Sequence, residues 1–218
     1  MLNTGDVVTD PSPEPTFARD AATADYYHRR AAEYDQWYTG EGLFAERDRP
    51  GWQRDVQRLV AATKALPSAK TLDIACGTGF LTRHLRGLVV GLDQSSAMVS
   101  IAQSRLPAGV AMVGDALGLP FADGAFDRVF TGHFYGHLGP AERSAFLVQA
   151  RRVAAELVVV DAARRPGTPA EGWQQRTLND GSRHRVYKRY FTAQQLAEEI
   201  GGSVLLDGEY FVGAVARP

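Results

Sequence analysis

Two periodicities alternate along this chain. Short apolar runs at residues 71–74, 88–92, 111–113, 126–131 and 157–161 read as strands bounded by turn residues. Between them lie stretches with helical spacing. Residues 17–38 place Tyr26, Arg30 and Tyr34 four apart on one face, and residues 50–66 repeat the pattern through Val56, Leu59 and Val60. Another helix is expected from Phe80 to a left-handed cap at Gly87, and a further one after Ser95, with Met98, Ile101 and Ala102 facing inward. Residues 140–154 supply the next. Strand and helix in alternation predict a parallel sheet covered on both faces. Beyond Asp161 the pattern breaks. Residues 162–182, rich in Arg, Pro, Gly and polar groups, read as a loop or lid, and residues 183–191 alternate as a short strand. Thr192 with Gln195 forms a capping box for a helix ending near Gly201. Asp207-Gly208 then sits between two apolar runs as a hairpin turn.

Composition narrows the class. A length of 218 residues suits one domain with a full core, and a net charge of −1 offers no broad field for nucleic acid or an anionic membrane. Cys76 is the single cysteine, so no internal disulfide forms, which fits a reducing compartment. No apolar run approaches the roughly 20 residues that span a bilayer, and the N-terminus lacks a signal-peptide pattern. A cytoplasmic protein is therefore expected, working as monomer or homodimer without membrane or nucleic-acid partners. Its expected organisation is a flexible leader over 1–16 and a single domain over 17–218. Within that domain come a helical cap (17–66), a ligand-binding core (67–161), a lid or substrate region (162–191) and a terminal helix with hairpin (192–218).

The chemistry concentrates at residues 71–79, Thr-Leu-Asp-Ile-Ala-Cys-Gly-Thr-Gly. A buried strand ends there in a loop of small residues, which lets backbone N–H groups approach a ligand. Twenty positions after Asp73, the second strand ends in Asp93, an acid placed to accept from both hydroxyls of a ribose. Together they predict a nucleoside site. A dinucleotide fingerprint needs a third glycine where Thr82 stands, and no phosphate-cradling Gly-Lys-Ser/Thr loop occurs. The stretch instead resembles the first motif of class I S-adenosylmethionine-dependent methyltransferases, Asp/Glu-x-Gly/Ala-x-Gly-x-Gly. The resemblance extends from about Tyr26 to the C-terminus and departs in one place: the Pro-Gly-Gly usual before the fifth strand is replaced by Arg152-Val153-Ala154-Ala155-Glu156.

That resemblance implies a Rossmann-like, mostly parallel seven-stranded sheet with a C-terminal antiparallel hairpin, helices on both faces and an N-terminal helical cap. It implies S-adenosylmethionine as methyl donor, leaving S-adenosylhomocysteine. Asp73, Asp93, Gln94, Asp115 and Thr131 would surround one crevice, and backbone groups at Ala75, Gly77 and Gly79 would meet the methionine moiety. Asp115 and the Ala116 N–H would read adenine between Met98 and Leu117. Tyr26, Arg30 and Tyr34 of the cap would approach the cofactor carboxylate. After the fourth strand, His133 is the first candidate base and His137 the second, because an imidazole titrates near the working pH. No metal is expected, since the glycines around these histidines argue against a rigid ligand pair. The basic run at Arg183, His184, Arg185, Lys188 and Arg189 reads as a solvated edge strand that resists pairing. The expected activity is methyl transfer to a small molecule, most readily to oxygen. The alternatives are a non-catalytic cofactor-binding protein and a nicotinamide-dependent oxidoreductase.

Overall fold

The computed structural model describes residues 20–217. The leader expected over 1–16 and the first residues of the helix expected over 17–38 lie outside them. The parallel core comprises β1 (Thr71–Ile74), β2 (Val89–Asp93), β3 (Val110–Val113), β4 (Phe126–Gly132) and β5 (Ala154–Ala162). A two-stranded ribbon follows, β6 (Glu171–Thr177) with β7 (Arg183–Arg189), and the chain closes with β8 (Ser203–Asp207) and β9 (Phe211–Ala216). Seven strands form one sheet in the order β3-β2-β1-β4-β5-β9-β8, with β8 and β9 antiparallel. The sheet reverses direction between β1 and β4, and the crevice at that switch point lies beyond the carboxyl ends of the strands.

Period-two alternation makes the sheet two-sided. Leu157 and Val159 of β5 face one layer, with Phe146, Ala150 and Val153 of α5 (Pro140–Val153) and Leu196 and Ile200 of α6 (Ala193–Ile200). Val158 and Val160 face the other, with Trp52, Val56 and Leu59 of α3 (Trp52–Ala65). The remaining helices are α1 (Ala21–Arg30), α2 (Gln36–Thr39) and α4 (Ser96–Arg105). Local chemistry sets their ends. The Asp20 carboxylate accepts from the N–H groups of Ala22 and Thr23 at the start of α1, the Ser95 hydroxyl accepts from Met98 N at the start of α4, and Thr192 and Gln195 form the expected capping box on α6.

Three expectations need correction. The segment from Phe80 to Gly87 is not an α-helix; it makes a single 3-10 turn at Thr82–His84 and then extends. Seven residues between two glycines barely exceed the costly helix nucleus, and the Thr82 hydroxyl donates to buried Asp73, fixing the turn. Gly87 does adopt a positive φ of 100°, yet its role is at the entry to β2, where a Cβ would stand 2.3 Å from Ala69 O. Second, residues 162–182 contain β6, paired along its whole length with β7. Few of its side chains are buried, so hydrogen bonding rather than apolar periodicity defines this strand. Third, the basic strand is not an unpaired edge: β6 occupies its pairing side, Val186 is fully buried, and Lys188 is buried in an ion pair with Asp161. The ribbon docks on α1 through Leu178, Val186 and Tyr26.

The terminal hairpin is tied to α3 by one carboxylate. Asp55, only 3% exposed, accepts from Tyr210 N at 2.7 Å and Phe211 N at 3.2 Å, and from Arg58 Nη1 at 3.0 Å. Asp55→Ala would strand both amides in a buried turn, and we expect a loss of about 2–4 kcal/mol in urea unfolding. A variant within experimental error of wild type would show that water or the turn itself satisfies them.

Candidate active site

Beyond β1 the backbone turns through Ala75 (φ 58°) and Gly77 (φ 55°). The second strand's acid organises this loop: Asp93 Oδ2 accepts from Gly77 N and Oδ1 from Ser95 N, each at 2.9 Å. One side chain thus joins the β1 loop to the cap of α4. The helical cap is latched to the same loop. Thr78 Oγ1 donates to Asp35 Oδ1 at 2.6 Å, and Arg105 of α4 pairs with Asp35 Oδ2 at 2.7 Å. Asp73 lies deeper, accepting from Thr82 while its Oδ1 has no partner among the described residues. Burial, reinforced by neighbouring Asp93, pushes its pKa up to about 8. Burial also pushes the Cys76 thiol well above its usual range, which removes it as a nucleophile at neutral pH.

Above this loop opens a cleft. Eight expected cofactor residues line it. They are Tyr34, Ala75 and Gly77, Asp93 and Gln94, and Met98, Asp115 and Ala116. The remaining candidates are placed elsewhere. Tyr26 and Arg30 line a neighbouring chamber, and Asp73 borders a small cavity with Tyr38 and Phe80 beneath the loop. Gly79 serves packing, since a Cβ there would stand 3.2 Å from Ala102 Cα on α4. Leu117 donates its amide N–H to Asp115 Oδ1 at 2.9 Å but does not line the cleft. Thr131 is fully buried, its hydroxyl donating to Ile74 O at 2.7 Å and so tying β4 to β1.

The neighbouring chamber, the larger of the two, shares Tyr27, Tyr34 and His133 with the cleft. His133 sits in the left-handed region (φ 61°) at the end of β4. Its ring packs edge-on against Trp37 and Phe211, and both nitrogens are buried without a partner among the described residues. Burial outweighs the attraction of Asp161 and lowers its pKa to about 3, so the expectation of a histidine titrating near the working pH is corrected here. His137 is held differently. Its Nδ1 lies 2.6 Å from the Tyr187 carbonyl, which requires the proton on that nitrogen. Nε2 is then an acceptor, and the Tyr27 hydroxyl donates to it at 3.1 Å. Burial, with Lys188 and Arg176 nearby, also keeps this ring neutral.

Tyr27 and Trp37 are therefore site residues that the list of expected contacts omitted. Tyr27 stands three before Arg30 and seven before Tyr34, the spacing of a shared helical face. The Lys188–Asp161 pair is equally invisible in the sequence, since only the docking of the separate β6-β7 ribbon brings Lys188 to the end of β5. Asp161 also accepts from Gly136 N at 2.7 Å, which fixes the turn carrying His137.

Against this geometry, the family model for the methyltransferase domain matches residues 72–156. This segment is similar to a methyltransferase domain. The match runs from β1 into β5 and so takes in the glycine loop, Asp93 and the Asp115 turn. The whole architecture is that of the class I S-adenosylmethionine-dependent methyltransferases, and DhpI in its complex with SAH superposes with a TM-score of 0.67 at 26% identity, over 90% of this chain and 95% of that one. Demethylmenaquinone methyltransferase of Thermotoga maritima is 36% identical over 107 residues, 47% of this chain and 44% of that protein. A dTDP-3-amino-3,6-dideoxy-alpha-D-glucopyranose N,N-dimethyltransferase of Streptomyces fradiae is 36% identical over 134 residues, 57% of this chain and 48% of its own. The chain thus spans about half the length of these curated relatives.

Asp73, whose Oδ1 has no partner among the described residues, has a pH signature. Folded Asp73 keeps its proton up to about pH 8, whereas the unfolded chain loses it near pH 4. The unfolded state therefore binds fewer protons across that window, and stability falls as pH rises through it. Urea midpoints measured at pH 5 and pH 8 should converge in Asp73→Asn relative to wild type; equal pH slopes in the two proteins would contradict a protonated Asp73.

Proposed function

We propose that this chain transfers a methyl group from S-adenosylmethionine to an oxygen of a small-molecule acceptor by in-line displacement. The observation that carries the reading is the shared wall of the two cavities: Tyr27, Tyr34 and His133 face both the cleft and the larger chamber. A donor held in the first would present its reactive end to an acceptor held in the second, and orientation is the main demand of this chemistry.

The cleft fits the donor. Met98 and Ala116 offer apolar walls for a base, with Asp115 at the rim, and Asp93 stands where a ribose would need an acceptor. The positive-φ loop at Ala75 and Gly77 brings backbone close to a ligand tail. Asp73 beneath that loop, protonated near neutral pH and with an Oδ1 lacking a partner among the described residues, would give up its proton to meet an ammonium group. When bound, S-adenosylmethionine supplies an electrophilic methyl on a sulfonium, so no covalent relay by the protein is needed.

The chain's own residues then orient the acceptor and exclude water. Neutral His133 is a hydrogen-bond acceptor at the junction, and its low basicity makes it a positioning group rather than a strong proton sink. The His137–Tyr27 bond holds the phenol at the boundary. Six cationic side chains line the chamber against the single acid Glu33, which disfavours a protonated amine and supports an oxygen nucleophile.

Calorimetry with S-adenosylhomocysteine tests the donor site: wild type should bind one equivalent, and Asp93→Ala should bind about 10- to 150-fold more weakly, a loss of about 1.5–3 kcal/mol. Unchanged affinity would remove Asp93 from the site. Mass spectrometry with matched hydroxyl and amine acceptors tests the acceptor atom. Methylation of the amine member alone would overturn the oxygen assignment.

A further inference from the structure

The chamber's charge has no counterpart in the chain as a whole, whose net charge is −1. Elsewhere eight of the fifteen described arginines pair with acids, among them Arg105 with Asp35, Arg143 and Arg189 with Glu199, and Arg128 and Arg217 with Glu156. Of the chamber's six cations, Lys188 pairs with Asp161, and Arg165 lies 3.6 Å from Glu209. The other four, Arg30, Arg47, Arg49 and Arg176, pair with no carboxylate among the described residues.

Each of these four is aligned by neutral groups instead. Arg30 donates to the Tyr26 hydroxyl at 2.7 Å, Arg49 to Trp37 O at 3.3 Å and Arg176 to the Gln174 amide oxygen at 2.6 Å. Arg47 lies over the Phe44 ring at 4.6 Å. Such partners orient a guanidinium without cancelling its charge. The nearby acid is engaged elsewhere, since Glu33 accepts from Asn179 N at 2.9 Å. The arginines also repel one another: burial first, then Arg176 and Arg30, holds Arg47 below its ordinary range, and burial followed by Arg47 does the same to Arg49.

Three separate segments contribute, α1 through Arg30, the loop before α3 through Arg47 and Arg49, and the ribbon through Arg176. We propose that these four arginines form an anion cradle and that the methyl acceptor carries a multiply charged oxyanion, of phosphoryl or dicarboxylate type, seated in it. Planar guanidinium forks match such groups bidentately. The chamber meets the cleft at Tyr27, Tyr34 and His133, and the donor brings a single carboxylate, so four guanidiniums leave positive charge for an anion on the acceptor. The proposal rests on the methyltransferase reading and specifies its substrate class.

Calorimetric titration of the full chain with inorganic phosphate and, separately, malonate tests it, each run with and without saturating S-adenosylhomocysteine. Saturable binding of either anion is expected, the tighter of the two naming the phosphoryl or carboxylate class. Arg47→Gln/Arg176→Gln should weaken that binding by about tenfold or more, while S-adenosylhomocysteine affinity stays at the wild-type value and reports an intact fold. Arg176→Gln alone provides the same comparison should the double variant fail to fold. If neither anion saturates the wild type, or if the double variant binds them equally well, the cradle is wrong. Failure of S-adenosylhomocysteine to bind would instead count against the donor site, since anion binding is read in its own arm.

Discussion

The Asp93 carboxylate is the junction on which the rest of the site depends. Its two oxygens hold the Gly77 and Ser95 amides, so the loop after β1 and the first turn of α4 cannot move independently. Buried carboxylates that accept backbone N–H bonds are held by the cost of leaving those amides unmade. The glycine loop is fixed in turn by Cys76 N bonding Leu92 O, and Gly91 is needed opposite it because a Cβ there would stand 3.0 Å from the Cys76 sulfur. From this knot the latch through Thr78, Asp35 and Arg105 carries the constraint out to the helical cap.

The acceptor side is built by a second buried acid. Asp161, at the end of β5, pairs with Lys188 of β7 and accepts from Gly136 N. It thereby joins the ribbon to the turn that carries His137, whose imidazole bridges the Tyr187 carbonyl and the Tyr27 hydroxyl. Cap, ribbon and strand end meet around the chamber through these bonds. Breaking one partner of such a buried pair is costly because the other charge is left behind. The two acids therefore divide the labour, Asp93 shaping the donor cleft and Asp161 the wall opposite.

Much of this was legible in the amino-acid sequence because it is local. The apolar runs ending in Asp73 and Asp93, the Ser95 cap, the Thr192 capping box and the Asp207-Gly208 turn each follow from short-range chemistry, and the parallel sheet follows from alternation with helices. What escaped is tertiary. The hydrogen-bonded ribbon has no apolar period, so β6 looked like loop, and the Phe80 stretch looked helical until Thr82 was seen bonded to Asp73. Thr131 and Gly79 carry the right residue types for a ligand site, yet inter-strand bonding and packing on α4 claim them. Histidine basicity was misjudged for the same reason: burial by Trp37 and Phe211 is invisible in a linear motif. The four chamber arginines without a carboxylate partner among the described residues are scattered between positions 30 and 176, and only folding collects them.

The central claim is that the cleft holds the methyl donor with its reactive end turned to the chamber. A crystal structure of the chain with S-adenosylhomocysteine tests it most directly. The account requires the adenine between Met98 and Ala116, the ribose hydroxyls at Asp93, and the thioether sulfur facing the chamber beside Tyr27 and His133. A nucleoside seated elsewhere, or a sulfur pointing away from that chamber, would contradict it.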